Sequence, residues 1–254
     1  MPSFVVAKTL NVVLFTLNQS PKAAIAYPAP LDQNLTALNA DEMQRVNAAW
    51  QTTAEYAAPA SKQQARDRKN RFFHDQVQSL NAPLLPWIQS ASAGAADHRT
   101  VAERVLKRVA KHPIASIEST LLRKRSAEIG FCFGRALLVH YELLQAGVAQ
   151  ADLIKVFALG ELTVEKQHWR FHVAVGIRDP KDGILIVDPL FPEVRGLAQW
   201  MEEVAAYDIK HPFSRTRFYV TDPRKFLPAL GAYDKAQLTE PILRSYFTAL
   251  AKAL

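Results

Sequence analysis

Residues 168–188, HWRFHVAVGIRDPKDGILIVD, contain the clearest β pattern in the chain. Residues 179–183, between the apolar runs His168–Arg178 and Ile184–Asp188, have the composition of a turn. The segment therefore predicts an antiparallel hairpin. In its first strand, alternation assigns Trp169, Phe171, Val173, Val175 and Ile177 to one face and Arg170, His172, Ala174 and Gly176 to the other.

Helices and further strands are predicted on both sides of this hairpin. Gly134–Ala146 is a strongly apolar helix, and Gly147 occupies the position at which helices commonly end. The other predicted elements are helices at Thr100–Lys111, Leu197–Ala206 and Pro241–Leu254 and strands at Leu153–Leu162 and Arg217–Val220. Helices followed by strands predict an α+β fold with an antiparallel sheet.

The first 94 residues differ in character from the rest of the chain. A short apolar run at Leu10–Leu17 and the small residues around Ile25 make residues 1–26 a candidate export signal, with a buried N-terminal strand or helix as the alternative. Residues 27–94 are predicted to form a helical N-terminal region: a linker is expected at 27–40, followed by helices at Asp41–Tyr56 and Lys62–Leu80. We expect one domain at 95–225 and a C-terminal helical extension at 226–254.

Composition excludes several classes of protein. The chain has 254 residues, 49% of them hydrophobic, and one cysteine, so neither an intramolecular disulfide nor a multi-cysteine zinc site can form. The sequence contains no glycine-rich nucleotide motif, no HExxH motif and no apolar run long enough for a transmembrane helix. The net charge of +7 and the basic stretches Lys62–Arg71 and Arg104–Arg125 leave a non-enzymatic binding protein as one alternative, although no nucleic-acid motif is present.

Cys132 is the first candidate for chemistry. It lies in Glu128-IGFCFGR-Ala136, where a loop with two glycines runs into the predicted helix. A thiol at a helix N-terminus is exposed to the positive end of the helix dipole and to unpaired N–H groups, which favour the nucleophilic thiolate. The same N–H groups can hold an oxyanion. The alternative is a cysteine that packs as a small hydrophobic side chain.

His172 and Asp188 are candidates for the base and for the carboxylate that orients it. His172 interrupts an apolar strand beside the small residues Ala174 and Gly176, and a turn centred on Pro180 places it opposite Asp188. A register that differs by two residues leaves the pair as diagonal neighbours. The alternatives are a core or edge histidine and a turn-forming aspartate. His168 lies about 13 Å along the strand from His172, which is too far for the two to share a metal ion.

Three motifs give the chain a resemblance to a known family. Cys132-FGR-Ala136 fits Cys-x-x-Arg-Ala, Trp169-RFHV-Ala174 fits Trp-x-x-His-Val-Ala, and Asp188-PL-Phe191, with Trp200 soon after, fits an Asp-Pro segment followed by Leu-Phe. Over residues 95–225 the chain resembles the protein-glutamine glutaminase (protein deamidase) family, whose core is similar to that of transglutaminases. It departs from the family in having no disulfide and an Asp-Pro segment one residue shorter.

The resemblance implies a papain/transglutaminase-like core, with a cysteine-bearing helix packed on an antiparallel sheet that carries the histidine and the aspartate. It implies hydrolysis of the side-chain amide of protein-bound glutamine to glutamate and ammonia, without a cofactor or metal ion. Carried over by position, Cys132 is the nucleophile, His172 the general base and acid, and Asp188 its orienting partner. Trp169, Phe133 and Arg135 are expected near the substrate, with packing as the alternative for Trp169 and an ion pair for Arg135.

The same three residues also fit a transglutaminase or a cysteine peptidase. The expected partner is a protein or peptide bearing glutamine, and neither nucleic acid nor a transmembrane segment is predicted. The candidate export signal favours a secreted protein, including an effector that acts inside another cell, with a cytoplasmic protein as the alternative. The helical region at 27–94 is expected to be a pro-segment over the site or a docking module.

Overall fold

The structure is a computed structural model, and it describes residues 98–122, 131–164, 167–208, 216–227, 230–232 and 241–253, together with Ser61, Gln63, Gln64, Asp67, Leu84 and Ile88. The predicted export signal at 1–26, the linker at 27–40 and the helix at 41–56 lie outside the described residues, as does nearly all of the helix at 62–80. No helix in the described part of the chain combines the length and the apolar character needed to span a membrane.

The described chain is a mixed α+β fold built on one antiparallel sheet. The helices are α1 (His98–Ala110), α2 (Ile117–Leu122), α3 (Cys132–Gln145), α4 (Leu197–Ala205) and α5 (Pro241–Lys252). The strands are β1 (Leu153–Val164), β2 (Gln167–Asp179), β3 (Gly183–Val187), β4 (Arg195–Gly196), β5 (Arg217–Thr221), β6 (Lys225–Leu227) and β7 (Leu230–Ala232). The five-stranded sheet has the order β4-β3-β2-β1-β5, and β6 and β7 form a separate pair.

The predicted hairpin is confirmed, but its register is shifted by two residues. Val175 lies opposite Val187 and Asp179 opposite Gly183, so the register predicted for Asp188 and His172 was wrong and the two are diagonal neighbours. The turn causes the shift. The Asp179 carboxylate accepts the N–H groups of Lys181 and Asp182 at 2.9 and 2.8 Å, and Gly183 takes a positive φ of 79° that glycine tolerates.

The sheet is covered by helices on both faces. One face packs against α1, α3 and α5, and the other packs against α4 and the isolated residue Leu84. Helix α5 lies in the predicted C-terminal extension, and its Tyr246 and Phe247 pack into the same core as α3. The described part of the extension is therefore integrated into the core of the fold.

The predicted alternation of β2 fails at its N-terminal end. Trp169 lies on the face of His172 and Ala174, whereas Phe171 and Val173 face the core around α3. The reason is an irregularity in the pairing of β1 with β2 between Leu159 and Leu162, where the register shifts. The prediction that Trp169 shares a face with Phe171 was therefore wrong, and the correction places an indole directly beside the imidazole.

Candidate active site

Cys132 is the first residue of α3, two residues earlier than the sequence predicted the helix to begin. The preceding residue, Phe131, adopts a left-handed conformation with φ 48° and ψ 21°, which is uncommon for a residue with a side chain. Its carbonyl accepts the N–H groups of Gly134 at 3.0 Å and Arg135 at 3.1 Å, and these bonds close the first helical turn. The strained residue thus sets the direction in which the helix and its thiol leave the loop.

An aromatic contact holds this helix start from the outside. The Phe131 ring stacks on Tyr246 of α5 with centroids 4.3 Å apart and an interplanar angle of 14°. A methyl group added at Gly134 would collide with the Tyr246 ring, so the first turn of α3 approaches this ring closely. A side chain at position 134 would therefore fit only if Tyr246 shifted.

The Cys132 sulfur points toward β2. Its Sγ lies 3.9 Å from the carbonyl oxygen of Phe171, the residue before His172. Cys132, His172 and Asp188 are 3%, 1% and 3% exposed, so all three predicted site residues are buried. The helix start and the strand thus bring the thiol to the histidine, as the hypothesis of a shared site requires.

His172 lies between a carboxylate and the thiol. Its Nε2 is 2.6 Å from Asp188 Oδ2, whereas the buried Nδ1 has no hydrogen-bond partner among the described residues. Burial alone lowers the pKa of this imidazole, but the Asp188 charge and hydrogen bond, reinforced by the Cys132 sulfur, raise that pKa to about 9.

The Asp188 carboxylate accepts three hydrogen bonds. Besides His172, the Trp200 indole Nε1–H donates to Oδ2 at 2.7 Å, and the backbone N–H of Leu190 donates to Oδ1 at 3.0 Å. Burial raises the pKa of this carboxyl, but the His172 charge and these donors together hold the pKa below its ordinary value. Asp188 is therefore an ionised partner for the imidazole at neutral pH.

Two indole rings flank the imidazole. Trp169 lies 5.5 Å from the His172 ring with an interplanar angle of 28°, and Trp200 lies 6.0 Å from it at 29°. Aromatic faces stabilise a nearby cation, and packing against both indoles limits rotation of the imidazole. The arrangement suits a protonated histidine that has to keep one orientation.

The three residues that were expected near the substrate, Trp169, Phe133 and Arg135, do not all lie together. Arg135 is buried on the first turn of α3, with its guanidinium carbon 5.9 Å from the centre of the Trp169 ring. Trp169 therefore contacts both Arg135 and the catalytic candidate His172. Phe133 instead lies in the hydrophobic core, 6.2 Å from Phe247 between ring centroids. Its described contacts are those of a packing residue.

Two features near the site were not found by sequence reasoning. Trp200 belongs to the motif that follows Asp188, but its role as a donor to that carboxylate depends on how α4 packs against β3 and was not predicted. Lys155 of β1 is fully buried and interacts electrostatically with Asp222 and Cys132, while burial lowers its pKa well below the ordinary value. A lysine inside an apolar strand is the one signal in the sequence that points to it.

The described residues contain no cluster of three or more His, Cys, Asp or Glu side chains that could hold a metal ion. Comparison with known proteins finds no family model, no curated protein and no solved structure that matches the chain.

Proposed function

We propose that this protein is a cysteine-dependent deamidase that hydrolyses the side-chain amide of protein-bound glutamine to glutamate and ammonia. The observation that carries the proposal is the convergence of Cys132, His172 and Asp188 from a helix start and a hairpin. We further propose that the α+β fold contains a papain/transglutaminase-like core. Helix α3 packed on the antiparallel sheet supports this, as do the motifs around the three residues.

In the proposed first half-reaction, the Cys132 thiolate attacks the carboxamide carbon of glutamine and forms a C–S bond. The carbonyl oxygen becomes an oxyanion next to the N–H groups at the start of α3, where such a donor is worth about 3 kcal/mol in the barrier. The protonated His172 gives its proton to the nitrogen as the C–N bond breaks, and ammonia leaves. A thioester on Cys132 remains, with a neutral imidazole beside it.

In the second half-reaction, neutral His172 removes a proton from water, and the resulting hydroxide attacks the thioester carbon. The C–S bond breaks, glutamate leaves, and the proton on His172 restores the thiolate–imidazolium pair. Asp188 accepts the hydrogen bond from Nε2–H throughout and stabilises the charged ring. The raised pKa of His172 supports this role, because the ring is protonated at neutral pH before the first step.

The test is release of ammonia from a folded, glutamine-rich protein, measured for the wild type and for Cys132→Ala. We expect ammonia and a glutamine-to-glutamate mass change from the wild type only. Cys132→Ser is the matched control, since it keeps the size and polarity of the side chain but not its nucleophilicity. Adding a primary amine separates the alternatives: a transglutaminase forms amine adducts, and a peptidase cleaves the backbone. If the wild type is folded and releases no ammonia under any of these conditions, the deamidase proposal is wrong.

A further inference from the structure

Trp200 is the largest of the fully buried side chains in the described part of the chain, and it has one polar atom. It lies on α4, and its Nε1–H donates to Asp188 Oδ2 at 2.7 Å. The rest of the ring packs in the core on the α4 face of the sheet, edge-on to Phe218 at 5.9 Å. A purely apolar residue of similar size would fill the same space, so the hydrogen bond needs its own explanation.

The oxygen that receives this bond is the one that serves the histidine. Asp188 Oδ2 accepts from Trp200 at 2.7 Å and lies 2.6 Å from His172 Nε2, while Oδ1 accepts from the Leu190 backbone at 3.0 Å. Rotation of the carboxylate would break bonds at both oxygens. The backbone donor follows from the turn after β3, but the indole donor comes from a different element, twelve residues further along the chain.

We propose that Trp200 is a positioning residue of the candidate active site, whose indole N–H fixes the Asp188 carboxylate against His172. The proposal extends the proposed deamidase, because it names the group that keeps the orienting carboxylate in place and ionised. Trp200 does not touch the sulfur in the described contacts, so it acts through Asp188. The ionised carboxylate then keeps the His172 proton available for the leaving ammonia.

Trp169 provides a control for stacking. It flanks the same imidazole at 5.5 Å, compared with 6.0 Å for Trp200, and at nearly the same interplanar angle. Its own indole N–H points to Gln167 Oε1 at 3.4 Å and not to Asp188. Replacing either indole by phenylalanine therefore keeps an aromatic ring on the histidine, but only Trp200→Phe removes a donor from the carboxylate.

The kinetic test compares Trp200→Phe with Trp169→Phe in the full-length protein. Hydrogen bonds to charged groups are stronger than those between neutral groups, so we expect Trp200→Phe to lower kcat roughly 10- to 100-fold. Because the ionised carboxylate loses a donor, the pKa of Asp188 rises, and the acidic limb of the kcat profile moves to higher pH. Trp169→Phe keeps the acidic limb in place. An unmoved limb in Trp200→Phe, or equal shifts in both variants, overturns the proposal.

A second measurement depends neither on activity nor on the folding of the Trp200 variant. In ¹H–¹⁵N spectra of the wild type, we expect the Trp200 indole N–H to exchange slowly with solvent and to resonate downfield. In Asp188→Asn it should move upfield, because its acceptor loses a full charge, while the Trp169 indole signal moves less. A Trp200 signal that does not respond to Asp188→Asn overturns the proposal. If the signal responds and no ammonia is released by the wild type, the deamidase proposal alone fails.

Discussion

His172 and His140 are both sealed inside the molecule, and their pKa values lie on opposite sides of the ordinary value of 6.5. The pKa of His172 is raised to about 9, whereas that of His140 is lowered to about 3. Both histidines are close to helix α3. His172 lies beside Cys132, the first residue of the helix, and His140 is part of the helix, about 12 Å further along its axis. The His172 ring nitrogen Nε2 lies 2.6 Å from Asp188 Oδ2, and the His140 Nε2 lies 3.0 Å from Gln150 Oε1.

The difference lies in the charge of the partners. Desolvation is the largest effect at both rings, and it lowers both pKa values. His172 overcomes it with the Asp188 carboxylate and the Cys132 sulfur. His140 instead bonds to the neutral amide of Gln150, and Lys155 lowers its pKa further, although the Asp222 charge acts in the opposite sense. A buried histidine in this fold is therefore a candidate acid when its partner is charged, and a neutral packing residue when its partner is a neutral amide.

The strongest way to break this contrast is Asp188→Asn, which gives His172 an amide partner like that of His140. We expect the pKa of His172 to fall below its ordinary value and kcat for ammonia release to fall by about 10³- to 10⁴-fold, as is typical when a triad carboxylate is replaced by its amide. Histidine NMR titration measures the pKa, and the ammonia assay measures the rate.

The control for Asp188→Asn is Asp152→Asn, because Asp152 pairs with Arg178 outside the candidate site. It should leave the His172 titration unchanged. An Asp188→Asn protein that keeps His172 protonated at neutral pH would show that the carboxylate does not set the state of the ring, and the assigned role of Asp188 would be wrong.

Local sequence predicted the members of the candidate site better than their geometry. Alternation placed His172 beside Ala174, and turn composition placed Asp188 on the neighbouring strand, because both depend on residues close together in the chain. The exact register did not follow, since the Asp179 side chain and Gly183 shape a turn whose centre differs from Pro180. The hydrogen bond survives this shift because the two residues remain diagonal neighbours.

Long-range contacts explain what the sequence did not predict. Trp169 lies on the opposite face from the predicted one because the pairing of β1 with β2 shifts register near it. Trp200 reaches Asp188 from α4. The electrostatics of His140 depend on Gln150, which precedes β1, and on Lys155 within that strand. Neither periodicity nor motif spacing contains information on such contacts, because they depend on how distant segments pack.

The contrast also predicts how stability depends on pH. A histidine whose folded pKa is raised stabilises the fold below 6.5, and this stability is lost as the pH rises through about 9. A histidine whose folded pKa is lowered acts in the opposite sense: stability falls as the pH drops from 6.5 toward about 3, because the unfolded chain binds a proton that the folded chain excludes. The two histidine contributions together are largest near pH 6.5, with a loss on the order of a few kcal/mol on each side. Lys155, whose pKa is lowered by burial, adds stability as the pH rises toward 10.5 and so opposes the alkaline loss.

Urea unfolding from pH 4 to pH 10 measures this dependence. His172→Gln should flatten the alkaline side of the curve and His140→Gln the acidic side, so each variant serves as the control for the other. If stability falls at alkaline pH in His172→Gln as much as in the wild type, other groups cause that loss, and the raised pKa of His172 is not supported.

The smallest expected effect comes from the converse exchange, Gln150→Glu, which gives His140 a carboxylate partner like that of His172. The pKa of His140 should rise from about 3, because the new charge favours the imidazolium. Stability at pH 5 should change by about 1 kcal/mol, since the stronger hydrogen bond is offset by desolvation of the carboxylate. The ammonia-release profile should keep its pH limbs, because Gln150 contacts His140 and not His172. Histidine NMR titration decides the outcome: a His140 pKa that stays near 3 in the Gln150→Glu protein would show that burial dominates here, and that partner charge is not the rule that separates these two histidines.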